Sequence, residues 1–192
     1  MAKKYEFRPD SDGKNLLQRL HLTQQQRKNV LKWMLYTLFL IILSVLQDVI
    51  LTHLRIFGAS TDLVPCAIFM ICVIEGTHSG SIFALVASLF YLFSLNDLGP
   101  YVVVFITFLA ILATAFRQGY LRKGLAAALL CVGVAILVYE LLLFAFALFL
   151  QYAPASRILG FFITALLTTL VSPLLYFPAK AINAIGGDAW KE

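Results

Sequence analysis

From Trp33 to Phe177 the chain is almost continuously apolar, interrupted only by short polar segments. At a helical rise of 1.5 Å, roughly 20 apolar residues cross a hydrocarbon core about 30 Å thick. The pattern predicts six helical spans, near Trp33–Thr52, Leu63–Ile74, Gly80–Leu95, Tyr101–Phe116, Gly124–Leu150 and Ile158–Phe177. The second is short, beginning before Asp62 or running past Glu75 if it is to cross; the fifth is long enough to tilt. Thr23-Gln24-Gln25-Gln26 has the form of a capping box, which starts the first helix at Gln24 and places Lys28 and Lys32 on its aqueous extension. Pro100 opens the fourth helix after an Asn96–Gly99 turn, Pro65 sits in the tolerated first turn of the second, and Pro173 is expected to kink the sixth.

Composition agrees with lipid as the solvent: 61% of the 192 residues are hydrophobic and the mean hydropathy is +0.88. The expected organisation is all-α: a basic segment over 1–31, with or without an interfacial helix, a six-helix transmembrane domain over 32–182 and a short tail over 183–192. No secretory signal is evident, because the first apolar run starts late and lacks a small-residue cleavage site. Cys66, Cys72 and Cys131 all sit in apolar runs and read as small packing residues, with neither metal-ligand nor disulfide spacing.

The net charge of +5 reads differently once its location is considered. Of the 15 Lys and Arg residues, 13 precede the first span, fill the Arg117–Lys123 loop or follow the sixth span. Only Arg55 and Arg157 fall on the other side. The positive-inside rule then puts both termini in the cytoplasm of a multi-pass cell-membrane protein, and an odd number of spans would spoil the asymmetry. The basic excess signals topology and anionic lipid, with Arg27, Lys28, Lys32, Arg117, Arg122 and Lys123 as candidate lipid or cytoplasmic contacts; it is no nucleic-acid footprint. Leu16, Leu17 and Leu20 with Arg19 fit an interfacial amphipathic helix, while Pro9, Gly13, Asp10 and Asp12 fit a disordered tail.

Ionisable groups at membrane depth are costly, which makes Glu140, midway along the fifth apolar run, the candidate intramembrane polar anchor. A relay would need further groups aligned with it, and no other span offers one near its centre. Glu75 and His78 are expected in a solvated connection. Gly76, Gly80, Ala84 and Ser88 recur at intervals of four and form the candidate helix-packing or partner face. Phosphate loops, nucleophile–base pairs, HExxH and acidic metal clusters are missing from the sequence, so neither catalysis nor a cofactor is expected.

The order of these features resembles the rod shape-determining protein MreD family: a basic start, Leu46-Gln47, Gly58-Ala59-Ser60-Thr61-Asp62-Leu63, Glu75-Gly76, the Gly80/Ala84/Ser88 stripe and Leu98-Gly99. The likeness covers roughly Trp33 to Ile182. It departs at Tyr91, where members commonly carry an acid, and Asp97 is at the wrong phase to replace it. The resemblance implies a non-enzymatic scaffold of the cell-wall elongation machinery that works with MreC, MreB filaments, and the elongation glycosyltransferase and penicillin-binding protein. It also implies a fold similar to the substrate-binding subunits of energy-coupling-factor transporters. Such a vitamin carrier is the alternative reading, with Gln47, Asp48, Arg55, Asn96, Asp97, Tyr101, Gln151 and Tyr152 as possible pocket residues.

Overall fold

The computed structural model describes residues 24–51, 61–94, 99–121, 124–152 and 154–186, which are helical and contain no strand. Six helices follow in order. They are α1 (Gln24–Leu46), continued by a π-type turn over Gln47–Leu51, α2 (Leu63–Glu75), α3 (Thr77–Ser94), α4 (Tyr101–Tyr120), α5 (Leu125–Phe149) and α6 (Ile158–Gly186). The six-helix count matches the periodicity, and the capping-box expectation at Thr23 lies outside the described residues. The segment 1–23, residues 52–60, Asn96, Asp97, Arg122, Lys123 and residues from 187 on lie outside the described residues, and with them the interfacial-helix expectation.

Four helices, α1, α4, α5 and α6, are long and apolar enough to cross a membrane. The outward faces explain why. Met34, Phe93, Phe108, Leu170 and Leu174 are all largely exposed, an apolar rim that water would not tolerate and lipid favours. α5 is apolar all round, yet buries only one face, through residues such as Ala128, Val132, Ala135 and Ile136, and turns the other outward.

α2 differs from the rest. All 13 of its residues are buried, and it packs against each of the other five helices. Those five close a ring around it in the order α1, α3, α4, α5, α6 and back to α1. A helix that is hydrophobic on every side belongs inside a bundle, and at about 20 Å this one is shorter than a hydrocarbon core. The short second apolar run is therefore a central core helix, enclosed along its whole length.

The small-residue stripe makes this enclosure possible. Gly80 is buried against α2, where an added Cβ would stand 3.0 Å from both the Cα and the carbonyl oxygen of Cys72. Ala84 and Ser88 are fully buried, and the Ser88 hydroxyl lies 3.2 Å from that of Thr107 on α4. Gly76 adopts a left-handed φ of 102°, which allows the abrupt α2–α3 reversal and which a side chain would strain. Of the two roles expected of the stripe, helix packing and a partner face, the described residues show the first, with Gly80 against α2 and Ser88 against α4.

α6 runs unbroken through Pro173 and Pro178. Pro173 has no N–H for the carbonyl of Thr169, and the Ser172 hydroxyl donates to that carbonyl instead, at 2.8 Å.

Candidate functional site

Placing a helix wholly inside a bundle raises a question at both ends, because terminal N–H and C=O groups lack intrahelical partners. Neighbouring side chains answer it, and their clusters are the candidate sites.

At the carboxyl end of α2 the Arg117 guanidinium donates to the Val73 carbonyl, the Gly76 N–H donates to the Cys72 carbonyl, and the Cys72 thiol donates to the Gly80 carbonyl at 3.1 Å. Glu75 closes this end. A carboxylate there opposes the helix dipole, and a cation offsets it. Lys32 Nζ supplies that cation 2.6 Å from Glu75 Oε2 and also donates to Asn183 Oδ1 at 3.2 Å. The Tyr36 hydroxyl donates to Glu75 Oε1 at 2.7 Å and lies 3.2 Å from the Ala179 carbonyl. One cluster therefore joins α1, α2 and α6. It also sets the start of α1 beside the end of α6, which puts the two ends of the helical domain on the same side.

Two expectations change here. Glu75 is buried in an ion pair rather than solvated, while His78 is exposed as expected. Lys32 and Arg117, predicted to face lipid or cytoplasm, are also buried, since the carboxyl end of α2 recruits both. Arg27 and Lys28 remain exposed on the first turns of α1.

At the amino end of α2 the Gln47 amide does two things. Its oxygen accepts the Val64 N–H at 3.0 Å, and its nitrogen donates to Asp62 Oδ1 at 2.9 Å. The Tyr91 hydroxyl donates to the same Asp62 oxygen at 3.1 Å, and the Asp62 N–H donates to Thr168 Oγ1 at 3.0 Å. Asp62 thus sits on the favourable end of the α2 dipole, gathered by α1, α3 and α6. Tyr91 is the α3 contribution.

Glu140 belongs to this end. It is buried on the inner face of α5, within Coulombic range of Asp62, and its Oε1 has no hydrogen-bond partner among the described residues. The adjacent Tyr139 is fully buried, with its ring edge-on to Phe69 and its hydroxyl beside that of Tyr91. Of the other carrier-type residues, Asp48, Gln151 and Tyr152 are exposed, and Tyr101 stacks on Phe146 at 5.0 Å. Of the carrier-type residues that are described, only Gln47 joins the buried cluster.

The three cysteines are free and buried, and no group of three or more His, Cys, Asp or Glu residues is placed to hold a metal among the described residues. Sequence spacing could not have paired Lys32 with Glu75, or Asp62 with Gln47 and Tyr91. The signal available was their cost at membrane depth, which demands a partner for each.

Two grooves open on the flanks. One, of about 430 Å³, lies between Trp33 on α1 and His78, Ile82 and Val86 on α3. The other, of about 610 Å³, runs between α5 and α6 and is lined by Leu130, Gly133, Val134, Ala165, Leu166 and Thr169 among others. No family model, curated protein or solved structure matches this chain.

Proposed function

We propose that the protein is a non-enzymatic membrane scaffold of the MreD type, contributing to rod shape by docking the transmembrane helix of MreC and, with it, the wall synthases. In this reading it resides in the bacterial cell membrane with both termini in the cytoplasm, and Arg27 and Lys28 meet anionic lipid or MreB-associated machinery there. The observation that carries it is the α5–α6 groove, an apolar channel open on the bundle flank. Its floor is low because Gly133 lets α6 approach until an added Cβ would stand 3.0 Å from Thr169 Cγ2. Small residues at such a line let a further helix gain van der Waals contact that lipid tails fill less well.

The test is co-purification with MreC from cells producing both proteins. Val134 and Leu166 are exposed in the groove, so Val134→Trp and Leu166→Trp would fill it without entering the core. Recovery of MreC should fall at least about tenfold, which corresponds to about 1.4 kcal/mol. Phe108→Trp, exposed on α4, should leave recovery unchanged. Equal recovery from all three variants would remove the groove from the mechanism. Stabilisation of the purified protein by a water-soluble vitamin would favour the carrier instead.

A further inference from the structure

The groove between α1 and α3 is built differently from the α5–α6 channel. At about 430 Å³ it falls within the size range of small-molecule pockets, and its polar side chains stand at one end only. His78 and Ser79, on the first turn of α3, line the mouth. Ile82 and Val86, one and two turns further on, line the deep part, about 12 Å from His78 along the helix. Trp33 of α1 and Phe83 of α3 form the floor. With Tyr36 they make a cluster of three rings, their centroids 5.5, 5.8 and 5.9 Å apart, and the Tyr36 hydroxyl is held in turn by Glu75. The floor is therefore fixed before anything binds, which lowers the entropic cost of binding.

The mouth lies at the end of the bundle where Arg27 and Lys28 are exposed on α1. These bases stand about 8–9 Å from Trp33 along the helix axis, a separation within one Debye length. Tryptophan is a frequent residue at the depth of lipid headgroups, and bases at that depth attract anionic lipid. The walls decide between occupants. A transmembrane helix packs best on glycine or alanine, where backbones approach closely. Trp33, Ile82, Phe83 and Val86 are all bulky, and what they leave open suits a flexible chain instead. We propose that the α1–α3 groove is a binding site for an anionic phospholipid. An acyl chain lies along Ile82 and Val86, and the phosphate sits at the mouth. There the His78 imidazole and the Ser79 hydroxyl offer donors, and Arg27 and Lys28 supply a positive field. The proposal rests on a membrane location and not on the scaffold reading, whose groove is on another flank.

The experiment is thermal unfolding of the full chain in detergent, titrated with phosphatidylglycerol, with phosphatidylcholine of the same acyl chains, and with glycerol 3-phosphate. Phosphatidylglycerol should raise the Tm along a saturating curve, by about 5 °C at a hundredfold excess over Kd. Its midpoint should lie about tenfold below that of phosphatidylcholine, the scale that two bases near a membrane surface provide. Arg27→Gln combined with Lys28→Gln should close that gap. Ile82→Trp and Val86→Trp replace exposed side chains, fill the groove and should each abolish the response, while Phe108→Trp on α4 should keep it. Equal midpoints for the two lipids overturn the proposal. A shift produced by glycerol 3-phosphate alone also overturns it, since a free phosphate then suffices. A full response retained in either tryptophan variant places the lipid elsewhere and overturns the site; where one variant does not fold, the other decides.

Discussion

Lys32 has a long stem that usually carries its charge to water, yet its ammonium lies buried against Glu75. The reason is on the other chain segment: Glu75 ends a helix that cannot reach solvent, where its charge is disfavoured by the dipole and by desolvation. Lys32→Ala removes the compensation and leaves the carboxylate buried alone. The expected loss is about 3–5 kcal/mol of stability, read as a lowered Tm in detergent. Replacing both partners, as in Lys32→Met with Glu75→Gln, should recover much of it, because a matched neutral pair leaves no uncompensated charge. Recovery would show that the ion pair answers a local electrostatic problem.

At the level of elements, α2 is the unit around which the others are arranged. Its ends were the hardest groups to satisfy, and one residue from α1 and one from α4 satisfy them: Gln47 on the Val64 N–H, Arg117 on the Val73 carbonyl. Gln47→Leu keeps the volume and removes both an acceptor for Val64 and a donor to Asp62. It should cost about 1–3 kcal/mol, the usual penalty for a buried backbone donor left unmatched, measured by thermal unfolding beside the wild type. Leu at the exposed Val45, two residues earlier, is the control and should change little. The π-type turn over Gln47–Leu51 falls where this doubly used side chain is placed, and such turns often mark positions with a special task.

The whole molecule is a ring of five helices around one, with apolar surface both inside and out. The inner surface is set by packing and the outer by lipid, so the exposed leucines and phenylalanines are no defect. One consequence is accessibility. Cys66 and Cys72 on α2 and Cys131 on α5 all face the interior. A membrane-permeant maleimide should label none of them in the folded protein within minutes and all three after unfolding in SDS, as counted by mass spectrometry. Fast labelling of Cys66 or Cys72 before unfolding would mean that α2 is not enclosed.

The sequence by itself determined the apolar character of the helices, their number and most of their limits, because apolar run length is a one-dimensional quantity; the sixth nevertheless runs on from Phe177 to Gly186 and the fourth from Phe116 to Tyr120. It also determined that the helical domain starts and ends on one side, through the even count, and it singled out Glu140 by its cost. Only tertiary structure decided that the second run is the core and that Gly80, Ala84 and Ser88 are spent on enclosing it. The same is true of Lys32 with Glu75, and of Asp62 with Gln47 and Tyr91, pairs far apart in the chain. A greasy segment facing lipid and one facing other helices carry the same composition, since both environments are apolar. The distinction rests on which neighbours surround the segment, and hydropathy carries no record of neighbours.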